Sequence, residues 1–396
     1  MSSESGIRYH LIRYPTIVIF SMTIISRHIP LVDLIAQYQS IKKEMDDAIS
    51  DVIQSGRFIG GEEVRKFAIK FAGLSNVPFC VPCANGTDAI EIILAALGIG
   101  KGDEVIIPAF SFVATLEAVC NAGATPLLCD IDPQRFTMNV DTIKSVLTSR
   151  TKAVIPVHLY GQMADMDPIM DLSKALGFYV IEDAAQAHAA EYIGQMAGSI
   201  GHMASFSFYP GKNLGAYGDA GAITTNDENL YNRAFKIANH GRTSKYEHEI
   251  IGRNSRMDSL QAAILSVKTE HLRDWNKRRF EIAQRYIELL QDIDQITLPG
   301  IYSNCKSVFH LFVIRVDKNR REELIKYLAH HSIETGIHYP IALSKLKVTT
   351  DQLKIVTSCP ESEKASEEVV SLPMYPELTE TMQDFICSHI RDFFSI

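Results

Sequence analysis

Tryptophan occurs once in the 396 residues, at Trp275, and cysteine only seven times. Cys80 and Cys83 form a lone C-x-x-C, with no second pair and no clustered histidines, so the sequence offers no zinc-ribbon ligand set. An odd number of scattered cysteines reads as small buried hydrophobes in a reducing compartment, with a redox pair as the minor alternative for Cys80 and Cys83. Positive charge is not in surplus: 39 Lys and Arg against 47 Asp and Glu give −8. That balance argues against a general nucleic-acid binder but leaves anionic small molecules open, since local donors bind those. The phosphate loop G-x-x-x-x-G-K-[ST] is absent, as are repeats and low-complexity tracts. No apolar run reaches the ~20 residues that span a bilayer. The nearest, Thr16–Ile25, follows Arg8, Arg13 and Pro15 and mimics a short signal core, but no small-x-small cleavage site follows before Pro30. Residues 1–28 are therefore expected to be an extension outside the fold, with Met22 as an alternative start.

What is present is the composition of an ordinary globular chain: 46% hydrophobic and 22% charged, with mean hydropathy +0.01. Its length suits about two or three domains and a core that needs no disulfide or metal staple. From Pro30 short Val/Ile/Leu runs alternate with amphipathic segments. Helices are expected over Ala36–Ser55, after Asn85, over Phe112–Ala122, Asp141–Thr148 and Pro168–Leu176. Strands are expected at Val105–Pro108 and in ATPLLCDID, KAVIPVHLYG, FYVIEDAAQ, ASFSFYPGK and GAITTN. This rhythm implies an α/β protein with a mixed, mostly parallel sheet covered on both faces. Beyond Leu260 the texture changes to a long charged helix, Gln261–Leu290, then a strand in VFHLFVIRV and helices at Arg320–His331 and Asp384–Phe394. The reading is a large domain over 29–264 and a smaller α+β domain over 265–396.

Three polar segments stand at strand ends, where α/β sheets place their sites. Lys212 lies among turn formers in SFYPGKNLGAYGDAG and can project into a cleft. Asp183 ends the apolar strand of VIEDAAQAH, where a buried carboxylate needs a cationic partner such as a protonated pyridine ring. Gly86 and Thr87 open a helix, whose free N–H groups and dipole form an anion site. Each has a plainer reading alone: a solvated lysine, a helix cap, an ordinary helix start. Together they are the parts of a pyridoxal 5′-phosphate site: a Schiff-base lysine, a carboxylate for the ring nitrogen and a phosphate cradle.

The strings ANGTDAIEIILAALGIGKGDEVIIPAFSF, VIEDAAQAHAA, FSFYPGKNLGAYGDAGAI, NHGRTSKYEHEIIGRNSRMDSLQAA, GIHYPIAL and LPMYPEL resemble the DegT/DnrJ/EryC1/StrS family of sugar-nucleotide aminotransferases, of aspartate-aminotransferase fold (fold type I). The resemblance runs from about Ile29 to Leu378. It implies that Lys212 bonds the cofactor and shuttles protons, that Asp183 pairs with the pyridine nitrogen, and that Gln186 bonds the ring hydroxyl. It further implies that Phe112 stacks on the ring, that Gly86, Thr87 and Ser207 hold the phosphate, and that Asn254 reaches the phosphate of a partner subunit in a homodimer. His338 and Tyr339 are placed near the nucleotide-sugar pocket, and Phe58 at its entrance. The implied reaction moves an amino group from L-glutamate to a keto sugar on a nucleoside diphosphate, in the cytoplasm, without metal, nucleic acid or membrane. The strings look most like the branch that aminates C-3 of dTDP-6-deoxyhexoses. A 4-keto or UDP-linked N-acetyl sugar, or a non-catalytic regulator that keeps the cofactor, are the alternatives. Two departures stand out. Ala189 replaces the family's usual glycine, which would be strained if that position needs positive φ, and Arg253 replaces its usual tyrosine. His158, His188 and His240 are further candidates for direct roles.

Overall fold

In a computed structural model the described residues are 28–353 and 357–395. The sequence readings on residues 1–27 lie outside them. The centre is a seven-stranded sheet: β1 (Phe79–Cys83), β2 (Glu104–Pro108), β3 (Thr125–Cys129), β4 (Thr151–Val154), β5 (Tyr179–Asp183), β6 (Met203–Ser207) and β7 (Gly221–Thr225). Their spatial order is β1-β7-β6-β5-β4-β2-β3. β7 runs antiparallel to both its neighbours, and the other ladders are parallel.

Strands buried on both faces explain the unbroken apolar runs. Along β2, Ile106 enters the apolar cluster on one face, while Val105 and Ile107 enter the cluster on the other. The same alternation separates Cys80 from Cys83, which fall in opposite clusters and cannot form a redox pair. Burial pushes both thiols far up, so they behave as the small hydrophobes expected.

The helices that carry the site are α1 (Gly86–Leu97), α2 (Val113–Asn121), α3 (Met166–Leu176) and the 32-residue α4 (Ser259–Leu290). Asn85 caps α1 by accepting the Asp88 N–H at 2.8 Å, and Gly98 closes it in the left-handed region. Ala262, Leu265 and Leu272 of α4 belong to the large-sheet core. Its last turns, from Ile282 to Leu290, belong to a separate cluster built around β8 (Ile296–Thr297), β9 (Phe312–Val316) and β10 (Val369–Leu372). Ile29 is fully buried in this second cluster, with its N–H on the Ser332 carbonyl at 2.8 Å, so the start of the described chain is stitched to the C-terminal unit.

Several elements differ from the sequence reading. The helix expected over Ala36–Ser55 is two, Leu34–Ser40 and Lys42–Ser55, separated where Ile41 leaves helical geometry at φ −125°, ψ 21°. The helix from Asp141 stops at Lys144 rather than Thr148. Glu62–Leu74 and Glu228–Ala238 are helices that the alternation alone did not mark. No described helix is long and apolar enough to cross a membrane.

Candidate active site

The ends of β5 and β6 bring Asp183 and Lys212 together. Asp183 is buried, and both its carboxylate oxygens are engaged: Oδ2 accepts the Thr115 hydroxyl at 2.9 Å and Oδ1 the Ala185 N–H at 3.2 Å. Burial pushes the Asp183 carboxyl up, while these hydrogen bonds and the Lys212 charge pull against it. Lys212 sits in the loop after β6. Its N–H bonds the Tyr209 carbonyl, and the Ala216 N–H bonds that of Phe208, each at 2.8 Å, which folds the loop back on its strand. Burial lowers the ammonium to about 8, with Asp183 opposing the shift. The group is therefore partly neutral near physiological pH and able to exchange protons.

At the end of β6, Ser207 meets the N-terminus of α1, a candidate anion cradle. The Asn85 side chain takes the Asp88 N–H, so the N–H groups of Gly86 and Thr87 have no partner within α1. Gly86 faces Ser207 so closely that a Cβ on it would lie 2.7 Å from the Ser207 Cβ. The glycine keeps open the gap between the helix N-terminus and the serine hydroxyl. A phosphate fits this donor set, and a protonated ring nitrogen fits the buried Asp183 carboxylate. The residues present thus suit pyridoxal phosphate.

The other expected residues divide. The Gln186 Oε1 accepts the Tyr160 N–H at 2.7 Å, and its Nε2 donates to the Tyr339 hydroxyl at 2.9 Å. Phe112, at the N-cap of α2, is half-exposed, with its ring 5.7 Å from that of Tyr339. The His338 Nδ1 lies 2.8 Å from the Ser371 hydroxyl, and its carbonyl accepts the Tyr160 hydroxyl. Burial and the nearby Lys212 charge lower the His338 imidazole to about 4. Phe58 and Asn254 are exposed, and neither side chain is hydrogen-bonded to the others. The Phe58 loop is held at its carbonyl by the Ser259 N–H, 2.9 Å away.

Of the three further histidines, none is hydrogen-bonded to Lys212. His158 is fully buried and shares a 2.9 Å bond with Glu182, while its Nδ1 accepts the Ala164 N–H. Burial works against the Glu182 carboxylate, but His158 and the amides of Gly198 and Gly201 outweigh it and hold it below its ordinary range. His188 is boxed by Phe71, Phe206 and Phe208, and neither ring nitrogen has a partner. Burial and Lys212 lower it to about 3. His240 is exposed. Ala189, next to His188, has φ +62°, the positive value at which alanine is strained.

Sequence reasoning missed Thr115, Tyr160, Asn213 and His310. Thr115 lies one helical turn after Phe112, a spacing that puts both on one face. That signal was available. His310 was hidden inside an apolar strand string. Its Nδ1 is 3.2 Å from the Asn213 Oδ1, while the Asn213 Nδ2 donates to the Asn276 side chain and the Val308 carbonyl, both at 2.9 Å. Two acceptors for Nδ2 assign Oδ1 as the acceptor, so the His310 Nδ1 carries the proton.

A half-buried lysine and a buried aspartate beyond the strand ends of this sheet, with a helix N-terminus closing on Ser207, are the arrangement a pyridoxal-phosphate-dependent aminotransferase needs. The chain belongs to the DegT/DnrJ/EryC1/StrS aminotransferase family, which it matches over residues 39–391. It is 46% identical over 353 residues to a dTDP-3-amino-3,6-dideoxy-alpha-D-galactopyranose transaminase of Aneurinibacillus thermoaerophilus, covering 89% of this chain and 95% of that one. It is 43% identical over 369 residues to a pleiotropic regulatory protein of Geobacillus stearothermophilus, covering 93% of this chain and 99% of that one. The structure of DesV from Streptomyces venezuelae, solved with a ketimine intermediate, superposes with a TM-score of 0.90 at 38% identity, over 93% of this chain and 99% of that one.

Proposed function

We propose that this aminotransferase moves the amino group of L-glutamate to C-3 of a dTDP-linked 3-keto-6-deoxyhexose. The reading rests on one observation above the rest: Lys212, in the loop after β6, lies near a buried Asp183 whose oxygens are fixed by Thr115 and Ala185. The likeness to the Aneurinibacillus transaminase favours C-3 and a dTDP-linked sugar.

Pyridoxal phosphate, when bound, supplies an electron sink for the carbon that loses its proton. Gly86, Thr87 and Ser207 bind its phosphate, Phe112 covers the ring face and Gln186 bonds the ring hydroxyl. Asp183 would hold the ring nitrogen. In the first half-reaction the Lys212 Nζ takes the α-proton of glutamate. In the second it delivers a proton to the sugar carbon that gains nitrogen. His338, Tyr339 and Phe58 line the sugar-nucleotide side. Asn254 reaches the phosphate of a second copy, so the working unit is a homodimer, placed in the cytoplasm with its metabolite substrates.

The test is a panel of 3-keto and 4-keto dTDP and UDP sugars with glutamate, the aminated carbon being read by NMR. Turnover only at C-4, or only with UDP-linked N-acetyl sugars, overturns the substrate assignment. Binding without glutamate consumption would favour the regulator named by the Geobacillus relative.

A further inference from the structure

Arg253 stands where the family usually has tyrosine, and its surroundings give it a definite task. Its Nη1 donates to the Glu91 Oε2, and the Asp88 carboxylate lies 3.9 Å away. The other Glu91 oxygen accepts the Asn121 Nδ2 at 2.8 Å. Glu91 is buried on α1 between Ile90 and Ile92, where a carboxylate without a cation would be costly. The ion pair is therefore not one of the freely solvated kind that contribute little. It fastens the segment around residue 254 to the same helix whose first turn carries Gly86 and Thr87.

The backbone beside Asn254 is fixed as well. The Arg253 N–H bonds the Ile237 carbonyl at 2.8 Å, and the Arg253 carbonyl accepts the His240 N–H at 2.9 Å. On the other side the Ser255 N–H bonds the Ala238 carbonyl at 2.9 Å, and the Ser255 hydroxyl accepts the Ala84 N–H at 3.2 Å. Asn254 itself stays exposed between these two anchored neighbours.

We infer that Arg253, through Glu91 and Asn121, is a positioning residue that presents the Asn254 side chain for cofactor-phosphate binding. The inference rests on the proposed role of Asn254. Arg253 does not touch the phosphate. It sets a charged strut between the Asn254 segment and α1, so the helix of the phosphate cradle and the phosphate-seeking arm of one chain are joined by an ion pair as well as by the Ser255–Ala84 hydrogen bond.

The experiment follows release of bound pyridoxal phosphate from the holoenzyme by dialysis and absorbance. The variants are Asn254→Ala, Arg253→Leu, Arg253→Lys and the double Asn254→Ala/Arg253→Leu. Asn254→Ala and Arg253→Leu should each speed release about tenfold, the worth of one charge-assisted hydrogen bond. The double variant should be no faster than Asn254→Ala, and lysine at 253 should restore most of the retention. Should Arg253→Leu compromise folding, judged by circular dichroism, Arg253→Met with Glu91→Gln removes both charges and leaves no buried ion unpaired. That pair should still release cofactor faster than wild type. Wild-type retention in Arg253→Leu, or losses that multiply in the double variant, would overturn the inference while leaving Asn254 in place. Unchanged retention in Asn254→Ala would instead remove the reading on which the inference stands.

Discussion

At Ala189 the backbone is held at φ +62°, a conformation that costs an L-residue about 1 kcal/mol relative to glycine. Ala189→Gly should therefore raise the unfolding free energy by about 1 kcal/mol in a urea titration. The opposite exchange is excluded at Gly86, whose φ is ordinary but whose missing Cβ leaves room for Ser207. Gly86→Ala should speed cofactor release by about tenfold or more, since a closed cradle loses at least one hydrogen bond to the phosphate. Its circular dichroism should stay that of the wild type, because alanine suits a helix start. Thr115 acts on the other pole of the site. Thr115→Val removes the hydroxyl at 2.9 Å from the Asp183 Oδ2 and leaves a buried carboxylate oxygen without its donor, at a cost of about 1–3 kcal/mol. Denaturation and the absorption band of the bound cofactor should both shift, and Thr115→Ser should restore them.

The loops after β5 and β6, and the chain at His310 and His338, surround Lys212 with imidazoles that stay neutral. Burial lowers His188 to about 3, His338 to about 4 and His310 well below its ordinary value, and the Lys212 charge adds to each. In the unfolded chain these groups protonate near pH 6.5. Between that value and the folded pKa values the unfolded state binds more protons, so stability falls as pH falls through this window. Three such protons give a slope of about 4 kcal/mol per pH unit near pH 5. Glu182, held low, adds to the acid sensitivity, whereas Asp183, raised by burial, works the other way over the carboxylate range. His188→Phe, in a box already made of three phenylalanines, should remove one proton from that slope, measurable as a smaller loss of stability between pH 7 and 5.5. These elements also show what the chain made legible. Lys212, Asp183 and Gly86 could be found because each joins an unusual residue type to a strand or helix end. The sheet could be found because strands buried on both faces need unbroken apolar runs. His310 could not, because one polar residue in an apolar strand carries no sign of which loop it will meet. Ile41 could not, because the apolar period continues through the break and only the backbone turns.

Across the whole molecule α4 serves both the large-sheet core and the C-terminal cluster, and it does so with polar side chains as well as apolar ones. Among the buried residues along it, Lys268, Asn276 and Arg279 donate to the backbone of other segments. The Lys268 Nζ bonds the Gly215 carbonyl at 2.8 Å, just beyond the Lys212 loop. The Asn276 Nδ2 bonds the His188 carbonyl at 2.8 Å. The Arg279 Nη1 reaches the carbonyls of Phe309, His310 and Met374 at 3.3, 3.3 and 2.9 Å. The helix thereby sets the lysine loop, the His188 turn and the C-terminal unit in one frame. Neither apolar cluster imposes that arrangement, because burial of apolar surface is non-directional. Arg279→Leu keeps the bulk but leaves three carbonyls short of a donor, for a loss of about 3 kcal/mol or more. The loss falls at the junction, so it should weaken coupling as well as stability. Trp275, the only tryptophan and buried one turn before Arg279, reports on that junction by fluorescence. In the wild type its urea transition should coincide with that of far-UV circular dichroism. In Arg279→Leu the fluorescence transition should come first, with the dichroism following at higher urea. Coincident transitions in the variant would mean that apolar packing along α4 alone holds the two units together.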